Sequence, residues 1–436
     1  MKKLFYIKCR CSGDVWICDV VDTFLEANIL LKEYQLDDPQ SKFKIIYSLG
    51  DNEISTTPFN KERIESLKKK IDANNEFRSQ KFGDLKKIIF TNKIVDIKKC
   101  NFFILCVPTP IHKDRTPNLG HLNDAIKTVS KILKKNDIIF IESTVFPGMT
   151  EQCKNYLEKK TNLKNNKDFY IGYSPERVNP GDKMHTLQNI TKIVAIKTKN
   201  KKILKRIFKI YNKISKKLLR SNNIRTAETA KVIENIQRDI NIALMNEILL
   251  ICKKLKINFN EVINLAKSKW NFINFRPGLV GGHCLPVDPY YLSSMMAKKN
   301  FKTEVTLAGR KVNDKMLNYI IDELSNFLNK RNKSLKNSKI MIVGLTYKGG
   351  VADMRNSLNF KIFNKIKKYN NKTDGCDPFV EEKTKVSYGI YNKINKNIKY
   401  DVILFLSHHD YFKKIFQNIV SSKNRNKILD PFNYYS

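Results

Sequence analysis

Glycine is scarce in this chain, 16 of 436 residues, and the first 82 hold only Gly13 and Gly50. A Gly-x-Gly-x-x-Gly turn, the backbone cradle for a dinucleotide's pyrophosphate, is therefore excluded from the N-terminal region. Long apolar runs are missing too, none reaching the ~18 residues of a membrane span. Met1-Lys2-Lys3 resembles the start of a secretory signal, but the apolar stretch behind it ends at Lys8, too short for a signal core. The expectation is a cytoplasmic protein with no membrane association. Arginine is sparse: 14 of the 81 basic residues, the other 67 being lysine. Recognition of phosphates and base edges leans on the arginine fork, so no nucleic-acid partner is expected despite a net charge of +39. Nine cysteines, an odd number at irregular spacing, read as reduced thiols. Cys9-x-Cys11 lacks a second pair with nearby histidines, so no metal site is expected.

Hydrophobic residues make up 42% of the chain and aromatics 10%, which excludes a disordered or fibrous protein. The length suits two or three domains of roughly 100–200 residues. Charge divides them unevenly. Residues 1–58 carry 7 basic and 9 acidic side chains, so the whole positive excess lies beyond them. Its lysines are scattered as doublets, such as Lys201-Lys202 and Lys367-Lys368, a Lys/Asn/Ile texture that points to the base composition of a gene. A positive field still helps to gather an anionic small substrate.

Segment 1–58 suggests a strand at 5–8, a helix at 20–34 and a strand at 43–49, without a chemical motif. From residue 60 the pattern becomes regular. Helices are expected at 61–70, 123–134 and 150–159. Phe102-Phe103-Ile104-Leu105-Cys106-Val107 and Ile138-Ile139-Phe140-Ile141 are continuous apolar runs that end in turn residues, Pro108-Thr109-Pro110 and Ser143-Thr144. Strands buried on both faces and alternating with helices imply a parallel α/β sheet, with ligands beyond its C-terminal strand ends. Residues 200–330 read as mostly helical, the longest helix covering 227–256. A second α/β unit opens at Lys339-Ile340-Met341-Ile342-Val343-Gly344, followed by a helix at 359–369 and a strand at 401–406. The expected fold class is α/β: two Rossmann-like parallel-sheet domains joined by a central helical domain, the first sheet incomplete or altered at its N-terminus. The boundaries fall at 1–58, 59–205, 206–330 and 331–436.

Four constellations could carry chemistry. Cys284 follows Gly281-Gly282-His283 and precedes Asp288 by four residues. That suits a nucleophilic thiol with a water-activating carboxylate, or merely a small buried apolar residue. Lys231 and Asn235 share a helix face, which suits an oxyanion or an ordinary solvated surface. Tyr173-Ser174-Pro175-Glu176-Arg177-Val178-Asn179-Pro180-Gly181-Asp182 is dense in turn residues and charge, as a site loop or a capped turn would be. Gly344-Leu345-Thr346-Tyr347-Lys348 ends a strand and is followed by Arg355, a pairing that suits a diphosphate or a surface loop.

Together these residues resemble the UDP-glucose/GDP-mannose dehydrogenase family. The resemblance runs from about residue 60 to the C-terminus through Val107-Pro108-Thr109-Pro110, Glu142-Ser143-Thr144-Val145, Ser174-Pro175-Glu176-Arg177, Ala227-Glu228-x-x-Lys231-x-x-x-Asn235, Gly281-Gly282-His283-Cys284-x-Pro286-x-Asp288-Pro289, Gly309-Arg310 and Gly344-x-Thr346-Tyr347-Lys348. Within the family it is most similar to the branch that oxidises UDP-N-acetylglucosamine at C6 for capsule, Vi-antigen and O-antigen synthesis. The resemblance implies NAD as cofactor, a UDP-sugar substrate and a homodimer. It implies Cys284 as nucleophile, Lys231 and Asn235 at the oxyanion, Asp288 and Thr144 on the hydrolytic water, and Glu176 in proton transfer. Pro108, Thr109, Thr144 and Glu176 would line the cofactor. Arg177, Phe275, Arg276, Gly278, Gly281, Gly282 and Lys348 would line the substrate, with Arg310 reaching a substrate in the partner subunit.

The resemblance fails at the N-terminus, where the glycine turn is absent and Pro58 stands where the family's ribose-binding acid belongs. A frameshift, recombination or misplaced start that replaced the 5′ end fits the composition break at residue 58. The alternative is a divergent segment that rebuilds cofactor binding. In the first case the chain would be a catalytically impaired UDP-sugar-binding remnant.

Overall fold

The computed structural model describes 91–436 apart from 92, 179–183, 349–353, 355, 381, 395–397, 421–424 and 436, together with the strand backbones at 5–11, 14–21, 42–47 and 89–90 and residues 65 and 69. The expected helices at 20–34 and 61–70 lie outside these residues, except that 20–21 end a strand and Glu65 is helical. Two compact units divide the chain, 1–233 and 234–436.

In the first unit, β1 (Phe5–Cys11) and β2 (Asp14–Val21) pair antiparallel, with Cys11 opposite Asp14 and two residues between the strands. β3 (Lys42–Tyr47) lies antiparallel on the other side of β1 and takes β4 (Ile89–Phe90) in parallel. β1 therefore returns as a hairpin, whereas a doubly wound sheet feeds its first strand into a helix.

A second sheet has the order β5 (Phe102–Leu105), β6 (Asp137–Ile141), β7 (Phe169–Tyr173), β8 (Thr191–Ala195), β9 (Lys217–Ser221). Every residue of β5, β6 and β7 is buried, as their continuous apolar runs require. The ring of Phe140 stacks on Phe102 with centroids 5.8 Å apart and meets Tyr211 edge-on at 5.1 Å. Helices α1 (Gly120–Ser130), α2 (Met149–Thr161) and α3 (Lys201–Ile214) complete the layers. Asn200 caps α3 by accepting the amides of Lys202 and Ile203, and Ile203, Ile207, Ile210 and Ile214 form its buried stripe. The pairs β5/β6, β6/β7 and β8/β9 are parallel, but β7 and β8 meet antiparallel at Tyr173 and Ala195. The sheet is parallel, as expected, except at this one joint. No helix lies between β7 and β8 among the described residues, and only a crossover connection brings a strand back parallel.

Asp137 opens β6 with only 1% of its surface exposed. Burial pushes its carboxyl up to about 6 from an ordinary 3.8, against the Lys134 amide and the charges of Lys134 and Arg206. The fold favours the protonated form, so this contribution is complete below about pH 4 and disappears as pH rises through 6. Asp137→Asn keeps the neutral shape and is expected to raise Tm at pH 8 relative to wild type. At pH 4 the two melting curves should coincide.

Helix α4 (Ile224–Leu255), expected at 227–256, contains the boundary between the units. The second unit continues with α5 (Phe259–Ala266), α6 (Asp288–Ala297) and α7 (Glu304–Asn329). Its sheet has the order β12 (Ile390–Tyr391), β11 (Thr373–Cys376), β10 (Ile340–Val343), β13 (Val402–Phe405), β14 (Ile428–Leu429), parallel throughout. Met316, Ile320, Leu324 and Leu328 of α7 belong to the same buried cluster as Ile340, Ile342 and Leu404 of this sheet. No described helix is long and apolar enough to cross a membrane.

Candidate active site

Cys284 lies half-buried in the turn that opens α6. Its carbonyl accepts the amides of Val287 at 2.9 Å and Asp288 at 2.8 Å, which fixes the thiol and the carboxylate on one turn. Asp288 is buried, and the side-chain amide of Asn235 on α4 donates to its Oδ2 at 2.5 Å. Cys284 and Asp288 of one motif thus form a group in the second unit with Asn235 of another, 53 residues before Asp288.

The loop before Cys284 is braced by backbone contact. Gly282 has φ +84°, and a Cβ there would lie 3.0 Å from the Tyr347 ring. A Cβ on Gly281 would meet Tyr347 Cβ at 3.0 Å and the Asn356 carbonyl at 3.1 Å. Glycine is what lets the 275–284 loop seat on the Gly344–Lys348 turn, so the structure brings together two further motifs. That turn is itself held by the buried Asp377, whose Oδ2 accepts the amides of Leu345 at 2.8 Å and Thr346 at 3.0 Å. Asn246, fully buried on α4, clamps the peptide at Gly278: its Nδ2 donates to the Gly278 carbonyl at 3.0 Å and its Oδ1 accepts the Gly278 amide at 2.8 Å. Phe275 is half-buried, and Arg276 is exposed, its guanidinium 2.6 Å from His408 Nε2. Lys348 is half-buried at the end of the turn, and Arg355 lies outside the described residues.

Arg310 is 2% exposed on α7. Its guanidinium donates to Asp239 Oδ1 at 2.6 Å and Asp314 Oδ1 at 2.5 Å, within its own chain. To reach a substrate it would first have to exchange these ion pairs.

In the first unit, the ends of β5, β6 and β7 gather the remaining residues. Pro108 and Thr109 are half-buried beyond β5. Ser143 donates to the Val107 carbonyl at 2.7 Å and so ties that loop to the end of β6, beside the half-buried Thr144. Glu176 follows β7. Its Oε1 accepts the amides of Arg177 at 2.7 Å and Val178 at 2.6 Å, its Oε2 lies 3.2 Å from Lys192 Nζ, and its carbonyl accepts the Lys231 ammonium. Burial raises its carboxyl, but Lys192, the Val178 amide and Lys231 outweigh that and hold it below the ordinary range. Arg177 turns away to the Thr191 carbonyl at 2.7 Å, and 179–183 lie outside the described residues. Glu228, buried on α4, accepts the amides of Gly148 at 2.5 Å and Thr150 at 2.8 Å and so fixes the start of α2.

Sequence reading passed over Asn246, Asp377, Lys192 and Tyr211. Asn246 did leave a signal, since it stands between the core residues Met245 and Leu249, where an amide has to find internal partners. Lys192 left none, being one lysine more in a lysine-rich chain.

A nicotinamide dinucleotide finds a partial fit. The loops after β5 and β6, tied by Ser143, and the ionised Glu176 suit its reactive end. Its pyrophosphate has no glycine turn to meet, because β1 pairs back on itself as a hairpin with β2.

The sequence matches three consecutive domains of one family: its NAD binding domain over 44–215, its central domain over 225–315 and its UDP binding domain over 341–436. The match starts at 44, earlier than the visible motifs, and takes in most of β3. The chain is 42% identical over 360 residues to the UDP-N-acetyl-D-glucosamine 6-dehydrogenase of Salmonella typhi, covering 82% of this chain and 84% of the relative. The enzyme of that description from Pseudomonas aeruginosa is 39% identical, with 82% and 85% covered. The solved UDP-D-ManNAc dehydrogenase of Pyrococcus horikoshii superposes with a TM-score of 0.72 at 30% identity, covering 84% of this chain and 85% of that one. With all three domains in order and these relatives along most of its length, the chain belongs to the UDP-glucose/GDP-mannose dehydrogenase family of NAD-dependent nucleotide-sugar dehydrogenases.

Proposed function

We propose that this chain oxidises the C6 alcohol of UDP-N-acetylglucosamine, or of a closely related UDP-hexose, to the carboxylate, for surface-polysaccharide synthesis. The observation that carries the reading is the Cys284–Asp288–Asn235 group, its thiol at the end of a glycine-braced loop. Two NAD+ in succession would each supply the acceptor for one hydride, four electrons in all. Glu176, held ionised, takes the proton of the C6 hydroxyl in the first. The Cys284 thiol then adds to the aldehyde as a thiohemiacetal, whose oxyanion Lys231 and Asn235 stabilise through charge and amide donors. The second oxidation leaves a thioester on Cys284. Asp288 and Thr144 aim the water that cleaves it, returning the thiol and releasing the acid.

Phe275–Gly282, Lys348 and Arg177 hold the nucleotide-sugar in this reading, with 59–205 as the remainder of the NAD-binding domain, 206–330 as the central domain and 331–436 as the UDP-sugar domain. The chain works as a cytoplasmic homodimer, with Arg310 reaching the partner's substrate once it exchanges its ion pairs with Asp239 and Asp314. The exposed Leu244, Ile251 and Leu255, on one face of α4, support pairing through that helix.

The hairpin in place of a glycine turn favours a second reading: a dimeric chain that binds UDP-sugar without turning over NAD. Calorimetry of the purified chain separates the two. Saturable binding of both UDP-N-acetylglucosamine and NAD+ supports the dehydrogenase, and sugar-nucleotide binding alone supports the second reading.

A further inference from the structure

Lys192 projects from β8 with no exposed side-chain surface. Its Nζ lies 2.6 Å from Glu142 Oε2, at the end of β6, and 3.2 Å from Glu176 Oε2, beyond β7. Glu142 is fully buried as well, and its Oε1 accepts the Tyr211 hydroxyl of α3 at 2.8 Å. One ammonium thus serves two carboxylates, and only Glu176 keeps contact with solvent, its side chain 31% exposed. An ammonium that merely held the sheet together would need one carboxylate and no opening. Burial raises the Glu142 carboxyl, Lys192 draws it down and Glu176 repels it, with the net above its ordinary range. Glu176 lies below its own. The two acids are pushed apart by their surroundings, as a working pair requires.

We propose that Lys192 is a positioning residue for Glu176: it fixes the aim of the carboxylate and sets the pH at which it accepts a proton, with Glu142 as the buried counter-group. The inference rests on the reading of Glu176 as the proton acceptor near the sugar C6. The charges that face Glu176 are Lys192 from β8, Glu142 from β6 and Lys231 from α4, while Arg177, its neighbour in sequence, is engaged at Thr191.

The test compares the full chain with Lys192→Met, Lys192→Arg and Glu142→Gln. The Glu176 carboxyl is followed by NMR of carbon-13-labelled glutamate, with Glu176→Gln to assign it. Lys192→Met is expected to raise its midpoint by at least about one pH unit, because it removes the cation paired with the carboxylate. Glu142→Gln is expected to leave the midpoint in place, because Glu142, held above its ordinary range, already carries its proton where Glu176 titrates. The acid limb of kcat moves with the midpoint in each variant, KM for UDP-N-acetylglucosamine changes less than about threefold, and Lys192→Arg stays near wild type. An unmoved midpoint in Lys192→Met overturns the proposal. If Lys192→Met fails to fold, Lys192→Gln decides alone: a rise supports, no change overturns. Wild-type protein that forms no NADH with UDP-N-acetylglucosamine refutes the dehydrogenase reading, and the NMR midpoints still judge Lys192.

Discussion

Cys284→Ser is expected to fold like wild type and to form the uronate at least about 10³-fold more slowly. The substitution changes one atom in a half-buried loop whose shape rests on Gly281, Gly282 and Tyr347, none of which it touches. What it removes, in the proposed reaction, is the nucleophile. An unperturbed thiol ionises near pH 8.5 and a serine hydroxyl far above that, so the captured aldehyde and the ester that follows both lose their anchor. Mass spectrometry of the reaction mixture is the measurement. The expected result is no acid, with any consumed sugar left as the aldehyde. Acid formation at the wild-type rate would move the covalent step away from Cys284.

The second large effect concerns stability. Arg310→Met is expected to cost about 3–5 kcal/mol, because it leaves Asp239 buried without its cation. Asp239 is already pushed up by burial, with Arg310 the strongest counterweight. Without that counterweight its folded-state carboxyl rises further, and the stability it lends is lost as pH climbs through that higher value. Urea unfolding should therefore show a loss that is large at pH 8 and smaller near pH 5. Asp239→Asn, which keeps the shape without the charge, should cost less than Arg310→Met at pH 8. An equal cost at both pH values would mean that Arg310 acts through packing alone.

The fold was legible where burial dictates composition. Phe102–Leu105 and Ile340–Val343 had to be strands, since a continuous apolar run of that length, closed by turn residues, has both faces covered. Strand direction was not legible: Thr191–Ala195 has the same apolar pattern whichever way it runs, and only the missing crossover before it turns it antiparallel to β7. In the site, Cys284, Asp288 and the glycines could be read because backbone geometry and reactivity restrict those residues to few alternatives. The partner of Arg310 could not, because Asp239 lies 71 residues away on another helix. Lys192 was hidden too, its two carboxylates standing 50 and 16 residues off, beyond the ends of β6 and β7. At the N-terminus the absent glycine turn was plain in the sequence, whereas the hairpin of β1 and β2 depends on pairing register, which one short strand at 5–8 does not reveal.

The most direct test of the central claim is the count of NADH formed per UDP-N-acetylglucosamine consumed by the purified chain with saturating NAD+. Two equivalents, with the C6 acid as product, is the result expected from a thiol that retains the aldehyde between oxidations. No NADH from well-folded protein with any UDP-hexose, or one equivalent with free aldehyde as the product, would contradict it.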